Sequence, residues 1–301
     1  MINIGITGGD TLVAGELVRL LINHPDSCLK WVTSNNASGP LDKLHKGLTG
    51  ECDIAFSAPL LDEVDVLFCC DKASAQWVMQ AAPNYEQLRI IDLTHSITHK
   101  SIIYGLCEIN RKFMVHDCYD IINLPTPEAM VTLLALVPLA KNLMLSSDIT
   151  VSIARSCLCS THISPNIDGC QDEISTVLKA MQHSYDRNLD ITVATSNMPP
   201  RGITATVTTA CNVPLDTVKQ MFINYYDDHN FTFTTDEAVD PSHVINTNKC
   251  LINIASDGNI LTITTVADSL LKGAAGNAVH AMNLLFGLHE RTGLTLKAQV
   301  F

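Results

Sequence analysis

Between Ile2 and Leu93 the apolar segments alternate between strand-like and helix-like periods, and that alternation most constrains what the chain can fold into. Ile2 to Thr7 reads as a short apolar strand, followed by a glycine-containing turn and a helix from Leu12 to Asn23, with Pro25 just beyond. Cys28 to Thr33 reads as a strand, Ser34 to Pro40 as a polar loop and Val64 to Cys69 as a strand. A helix over Ala73 to Ala82 and a strand over Leu88 to Leu93 continue the series. Strands separated by helices pair in parallel, because a parallel neighbour is reached only by a long crossover. The expectation is a doubly wound parallel sheet.

From about Leu124 the pattern changes. The segments 149–154, 191–194, 203–210, 231–234, 250–255 and 261–266 read as strands, interrupted by helices near Glu173 to His183 and Leu215 to Tyr226. Several alternate apolar residues with Thr or Asn, as antiparallel strands with one covered face do. Asp257-Gly258 signals a hairpin. A last helix, Ser269 to Phe286, carries Gly273, Ala274, Ala275, Gly276 and Ala278, small residues that permit close packing. With 301 residues, 47% of them hydrophobic, the chain can fill two cores.

At the junction, a strand-like run from Tyr119 to Asn123 leads into Leu124-Pro125-Thr126-Pro127-Glu128, and the apolar stretch Val131 to Leu143 reads as a buried helix. Thr126 suits an N-cap, Pro127 the first helical position, and Glu128 complements the positive end of the helix dipole. Such a turn can activate a thiolate, since a helix N-terminus lowers a cysteine's pKa. This one holds no nucleophile.

The net charge of −12, without any Lys/Arg run, argues against nucleic acid or an anionic membrane surface as partner. No apolar run reaches the span of a membrane helix, and Met1-Ile2-Asn3-Ile4-Gly5 opens a strand rather than a signal peptide. Eleven cysteines without a secretion signal then read as cytoplasmic thiols.

Several segments together resemble N-acetyl-gamma-glutamyl-phosphate reductase, a family of arginine biosynthesis. They are Ala14-Gly15-Glu16-Leu17-Val18-Arg19, Ile103-Tyr104-Gly105-Leu106-Cys107-Glu108-Ile109-Asn110-Arg111, Leu134 to Leu139, Asn246 to Cys250, Leu271 to Val279 and Met282 to Leu288. The likeness covers essentially the whole chain and is closest to Bacteroides-type versions, some of which take N-succinyl substrates. It implies an α/β fold: a Rossmann-type parallel sheet plus an α+β, largely antiparallel catalytic-type domain, as in semialdehyde dehydrogenases. The implied boundaries are 1–124 plus 274–301 for the dinucleotide-binding domain and 125–273 for the catalytic and dimerisation domain. The family reduces an acyl phosphate with NADPH through a cysteine thioester, with a histidine as acid and base.

The resemblance also shows what differs. The family's Asn-Pro-Gly-Cys aligns with Leu124-Pro125-Thr126-Pro127, so Pro127 stands at the nucleophile position; Cys118 lies upstream and out of register. The family's two histidines align with Asp168 and Cys170, leaving His162 as the nearby base. Its Asp-(Phe/Tyr)-Arg, whose arginine helps with substrate phosphate, aligns with Ser96-Ile97-Thr98, which lacks the cation. The glycine loop keeps Gly5, Gly8, Gly9 and Gly15 but has Thr11 at its middle glycine, with Asp10 beside it. Asp71 follows the third strand. Gly8, Gly9, Thr11, Ser34, Asn35 and, at the nicotinamide end, Asn277 are the positions that would meet NADP, with its phosphates opposed by the added acids. Arg201-Gly202 is the polar feature retained.

The expected function is a catalytically silent or severely impaired family member acting as partner subunit, in a homo-oligomer or with an active relative, or as a ligand-binding module. The alternative is an active reductase with a relocated cysteine among Cys157, Cys159 and Cys170. Zinc at Cys157, Cys159, His162 and Cys170 matches no recognised spacing, so no metal is expected.

Overall fold

A computed structural model describes residues 1–81, 87–99, 101–116, 120–156 and 167–299, with side chains at 167 and 168 left aside. The chain divides into two compact units, Met1–Thr126 with Ala274–Thr295, and Pro127–Gly273 with Leu296–Phe301.

In the first unit the elements are β1 (Ile2–Thr7), α1 (Leu12–Leu21), β2 (Ser27–Val32), the short α2 (Leu41–Leu44), β3 (Val66–Cys69), α3 (Lys72–Ala81), β4 (Arg89–Asp92), β5 (Ile102–Tyr104), α4 (Cys107–His116) and β6 (Ile121–Asn123). All six strands pair in parallel, in the order β2-β1-β3-β4-β6-β5. Their near-continuous apolar runs follow from helices covering the sheet. The strand order reverses between β1 and β3, with Thr7 paired to Cys69 at the C-terminal ends. In a doubly wound sheet the ligand crevice opens at such a point.

The second unit holds α5 (Pro127–Lys141), β7 (Ile149–Ser156), α6 (Ile167–Met181), β8 (Leu189–Ser196), β9 (Gly202–Ala210), α7 (Leu215–Tyr226), β10 (Thr232–Thr235), β11 (Cys250–Asp257) and β12 (Ile260–Asp268). Their order is β10-β11-β12-β9-β7-β8. The three inner pairings are antiparallel and the two outer ones, β10 with β11 and β7 with β8, are parallel, so the sheet is mixed with most of its pairings antiparallel. Helix α5 lies under the sheet and is buried nearly throughout, where Thr265 Oγ1 donates to the Val131 carbonyl at 2.9 Å. Pro138 inside α5 has no N–H for the Leu134 carbonyl. The Tyr226 hydroxyl donates to that carbonyl instead, at 2.6 Å.

Two turns differ from the sequence expectation. The β11–β12 hairpin turns at Gly258-Asn259, since Asp257 still pairs with Ile260, and Gly258 takes a φ of 58°. A left-handed first turn residue is what glycine supplies to a two-residue hairpin. The last helix begins with a π turn, Leu271–Ala275, and becomes α8 only at Gly276–Leu285. Among the described residues no helix is long and apolar enough to cross a membrane.

Candidate functional site

The first unit's crevice is framed by the β1–α1 loop, the loop after β2 and the start of α3. Gly8 is left-handed, and a Cβ there would lie 2.6 Å from Asp71 Oδ1, so the Asp71 side chain packs directly on the Gly8 backbone. Asp71 Oδ2 accepts the Ser74 N–H at 3.3 Å at the head of α3, while Oδ1 is buried without a donor among the described residues. Thr11, at the position of the family's middle glycine, caps α1: its hydroxyl accepts the Ala14 N–H at 3.2 Å and donates to the Gly8 carbonyl at 2.9 Å.

Asp10 faces the β2 loop. Its carboxylate accepts from Ser34 Oγ at 2.6 Å and from Asn36 Nδ2 at 3.0 Å, and Ser34 Oγ in turn accepts the Asn36 and Ala37 N–H groups. Partial burial pushes the Asp10 carboxyl up, but the bonds from Ser34 and Asn36, with the His45 charge, outweigh it and hold the group below the usual carboxylate value. Gly9 packs on Val32, Asn35 is exposed, and His45 Nε2 meets the Gly9 carbonyl at 2.7 Å while its ring closes on Gly15. The sequence gives no periodic signal for His45. Asp71, by contrast, is readable as an acid preceding a helix.

At the end of β4, the fully buried Asp92 carboxylate accepts from Thr94, Ser96 and Ile97, which shapes the turn over Ser96, Ile97 and Thr98. Asn277 is buried in α8. Its amide donates to the Gly105 carbonyl at 3.1 Å and accepts the Cys107 thiol at 3.6 Å, which fixes the β5–α4 connection.

In the second unit, Pro127 opens α5 and a Cβ at Gly273 would stand 2.9 Å from its ring, so the π turn rests on the proline. Glu128 beside it is paired with Arg155 at the end of β7, at 2.7 Å, both side chains buried. Asp168 and Cys170 fall in the first turns of α6, and the Cys170 thiol is buried. Arg201, left-handed at φ 72°, donates from Nε to Asp268 Oδ1 at 3.1 Å. Asp268 is fully buried and also accepts the Asn246, Leu270 and Leu271 N–H groups. The ion pair and this carboxylate hub were not foreseen from sequence, because their partners lie far apart along the chain. Cys118, Cys157, Cys159 and His162 lie outside the described residues. Among the described residues no cluster of three or more His, Cys, Asp or Glu side chains could hold a metal ion.

Residues 3–116 match the family model described as the NAD binding domain of semialdehyde dehydrogenases, and residues 170–269 match their dimerisation domain. Among solved structures, aspartate semialdehyde dehydrogenase II of Vibrio cholerae shares the fold, with a TM-score of 0.73 at 15% identity over 95% of this chain and 98% of that one. Proteins named N-acetyl-gamma-glutamyl-phosphate reductase from Phocaeicola vulgatus and Parabacteroides distasonis are each 38% identical, and one from Bacteroides fragilis 37%, over 100% of both chains.

The match over 3–116 implies a nucleotide cofactor for this kind of domain. The β1–α1 loop does not fit its phosphates. The loop glycine is covered by the Asp71 carboxylate, a second carboxylate, Asp10, stands in the loop itself, and one N–H of the α1 terminus is already capped. The parallel sheet with its glycine loop, the mixed sheet over α5 and full-length identity above a third agree on one conclusion: the chain belongs to the N-acetyl-gamma-glutamyl-phosphate reductase family.

Proposed function

We propose that this chain is a catalytically silent or severely impaired member of that family, kept as a partner subunit in the cytoplasm. The observation that carries the reading is Pro127, the residue aligned with the family's nucleophile. It is a proline closed against Gly273 rather than a thiol at the head of α5. Asp168 and Cys170, aligned with the family's histidines, sit on α6. A nucleophile, an acid–base group and an anion contact each contribute a factor of about a hundred or more, so losing them together leaves little rate.

The relocated-cysteine reading gains no support from Cys170, whose buried thiol offers no access to substrate. A partner role is supported by the match of residues 170–269 to a dimerisation domain. The partner would be a second copy or an active relative. The test is a steady-state assay with N-acetyl- and N-succinyl-gamma-glutamyl phosphate and NADPH, expected to give no rate above the blank. Turnover by the wild type would sink the silent reading. Native mass spectrometry after co-expression with an active family member tests association, and a strictly monomeric chain removes the partner role.

A further inference from the structure

Three conditions let a switch-point loop take a dinucleotide: backbone that can approach the pyrophosphate, free N–H groups at the helix start, and no fixed negative charge. In the first unit a specific contact opposes each. Approach at Gly8 is filled by the Asp71 carboxylate, whose Oδ1 is buried with no donor among the described residues. The Ala14 N–H at the head of α1 is taken by Thr11 Oγ1. At the end of β2, Ser34 and Asn36 donate to Asp10 rather than outward.

We propose that the first unit has exchanged the cofactor's phosphates for its own carboxylates, Asp71 against the glycine loop and Asp10 within it, and so takes up neither NADPH nor NADH. The hydrogen-bonding pattern supports substitution rather than simple decay. Asp10 takes the hydroxyl of Ser34, one of the positions expected to meet the cofactor, together with the Asn36 amide, and Ser34 Oγ passes the network on to the Asn36 and Ala37 N–H groups. The loop after β2 is thereby satisfied by the chain itself. An incoming pyrophosphate would have to break these bonds and lie beside two acids.

The inference rests on the first unit alone, whereas the silent-enzyme reading is carried by Pro127 in the second, so the two can fail separately. Calorimetric titration of the full chain with NADPH and with NADH tests it, alongside Asp71→Ser, which keeps a helix-capping oxygen, and the double variant Asp10→Asn, Asp71→Ser. The wild type is expected to show no saturation up to millimolar nucleotide. Removing each carboxylate improves affinity about tenfold, so saturable binding emerges in the double variant. Micromolar binding by the wild type overturns the proposal while leaving the silent reading intact if no turnover accompanies it. A double variant that keeps the wild-type circular dichroism and thermal midpoint yet binds no better also overturns it, since the carboxylates would then not be the cause. Asp71→Ser supplies the same comparison should the double variant not fold.

Discussion

Arg155 and Glu128 meet as a buried ion pair, Nη1 to Oε1 at 2.7 Å, where β7 ends and α5 begins. Their side chains are 6% and 9% exposed, so the pair is formed away from water. Glu128 also lies in the first turn of α5, where a carboxylate complements the helix dipole. Arg155→Met would leave the Glu128 carboxylate buried without this partner and is expected to destabilise the protein by several kcal/mol, and adding Glu128→Met should recover part of that loss. Urea denaturation measures both. A single variant as stable as the wild type, or a double variant worse than the sum of the singles, would show that the pair does not hold the head of α5.

What the sequence makes legible is local, and what it hides is long-range. The head of α5 is readable at Pro127 because proline fixes φ and lacks an N–H that a first helical residue does not need. The parallel order of the first sheet follows from the alternation of periods between Ile2 and Leu93. The outer pairings of the second sheet are not readable in this way, because Thr232–Thr235 and Leu189–Ser196 carry the same alternation whichever way their neighbours run. The site shows the same division. Thr11 as a cap and Asp71 as an acid before a helix are visible within a few residues. The bond from Ser34 to Asp10 spans 24 positions and the one from Arg155 to Glu128 spans 27, distances at which no periodicity carries information. The π turn is hidden for a similar reason: the Gly273 contact with Pro127 joins distant segments.

Cys69, at the end of β3 beside the glycine loop, bears on whether another thiol could serve as nucleophile. Burial pushes it up, with the Asp92 and Asp71 charges adding to the effect, to about 12. At pH 8 only about one molecule in ten thousand would carry the thiolate, the reactive form. Iodoacetamide is expected to label the half-buried Cys28, Cys52 and Cys211 well before Cys69, and to spare Cys69 until the chain unfolds. The same shift fixes a sign for stability. The contribution is fully present below the ordinary thiol value of 9.0 and is lost as the pH rises through about 12. Rapid native labelling of Cys69, read by peptide mass spectrometry, would contradict the burial.

Asp268 holds two residues in a conformation that side chains rarely adopt. Arg201 and Asn246 both have positive φ, 72° and 65°, and both donate to this fully buried carboxylate, Arg201 through its guanidinium and Asn246 through its backbone. The Leu270 and Leu271 amides at the entry to the π turn complete the set. Left-handed non-glycine backbone costs roughly 1 kcal/mol or more at each position and persists only when surrounding bonds enforce it. Asp268→Ala would remove that enforcement and leave the buried Leu271 N–H unsatisfied, at about 1–3 kcal/mol, besides the partly buried Asn246 and Leu270 N–H groups, so it should be among the most damaging single changes in the second unit. Arg201→Gly relieves strain at its own position while losing one ion pair that is 23% exposed on the arginine side, and so should cost far less. Denaturation midpoints order the two. If Arg201→Gly proved the more damaging, Arg201 rather than the carboxylate would be the organiser of this corner.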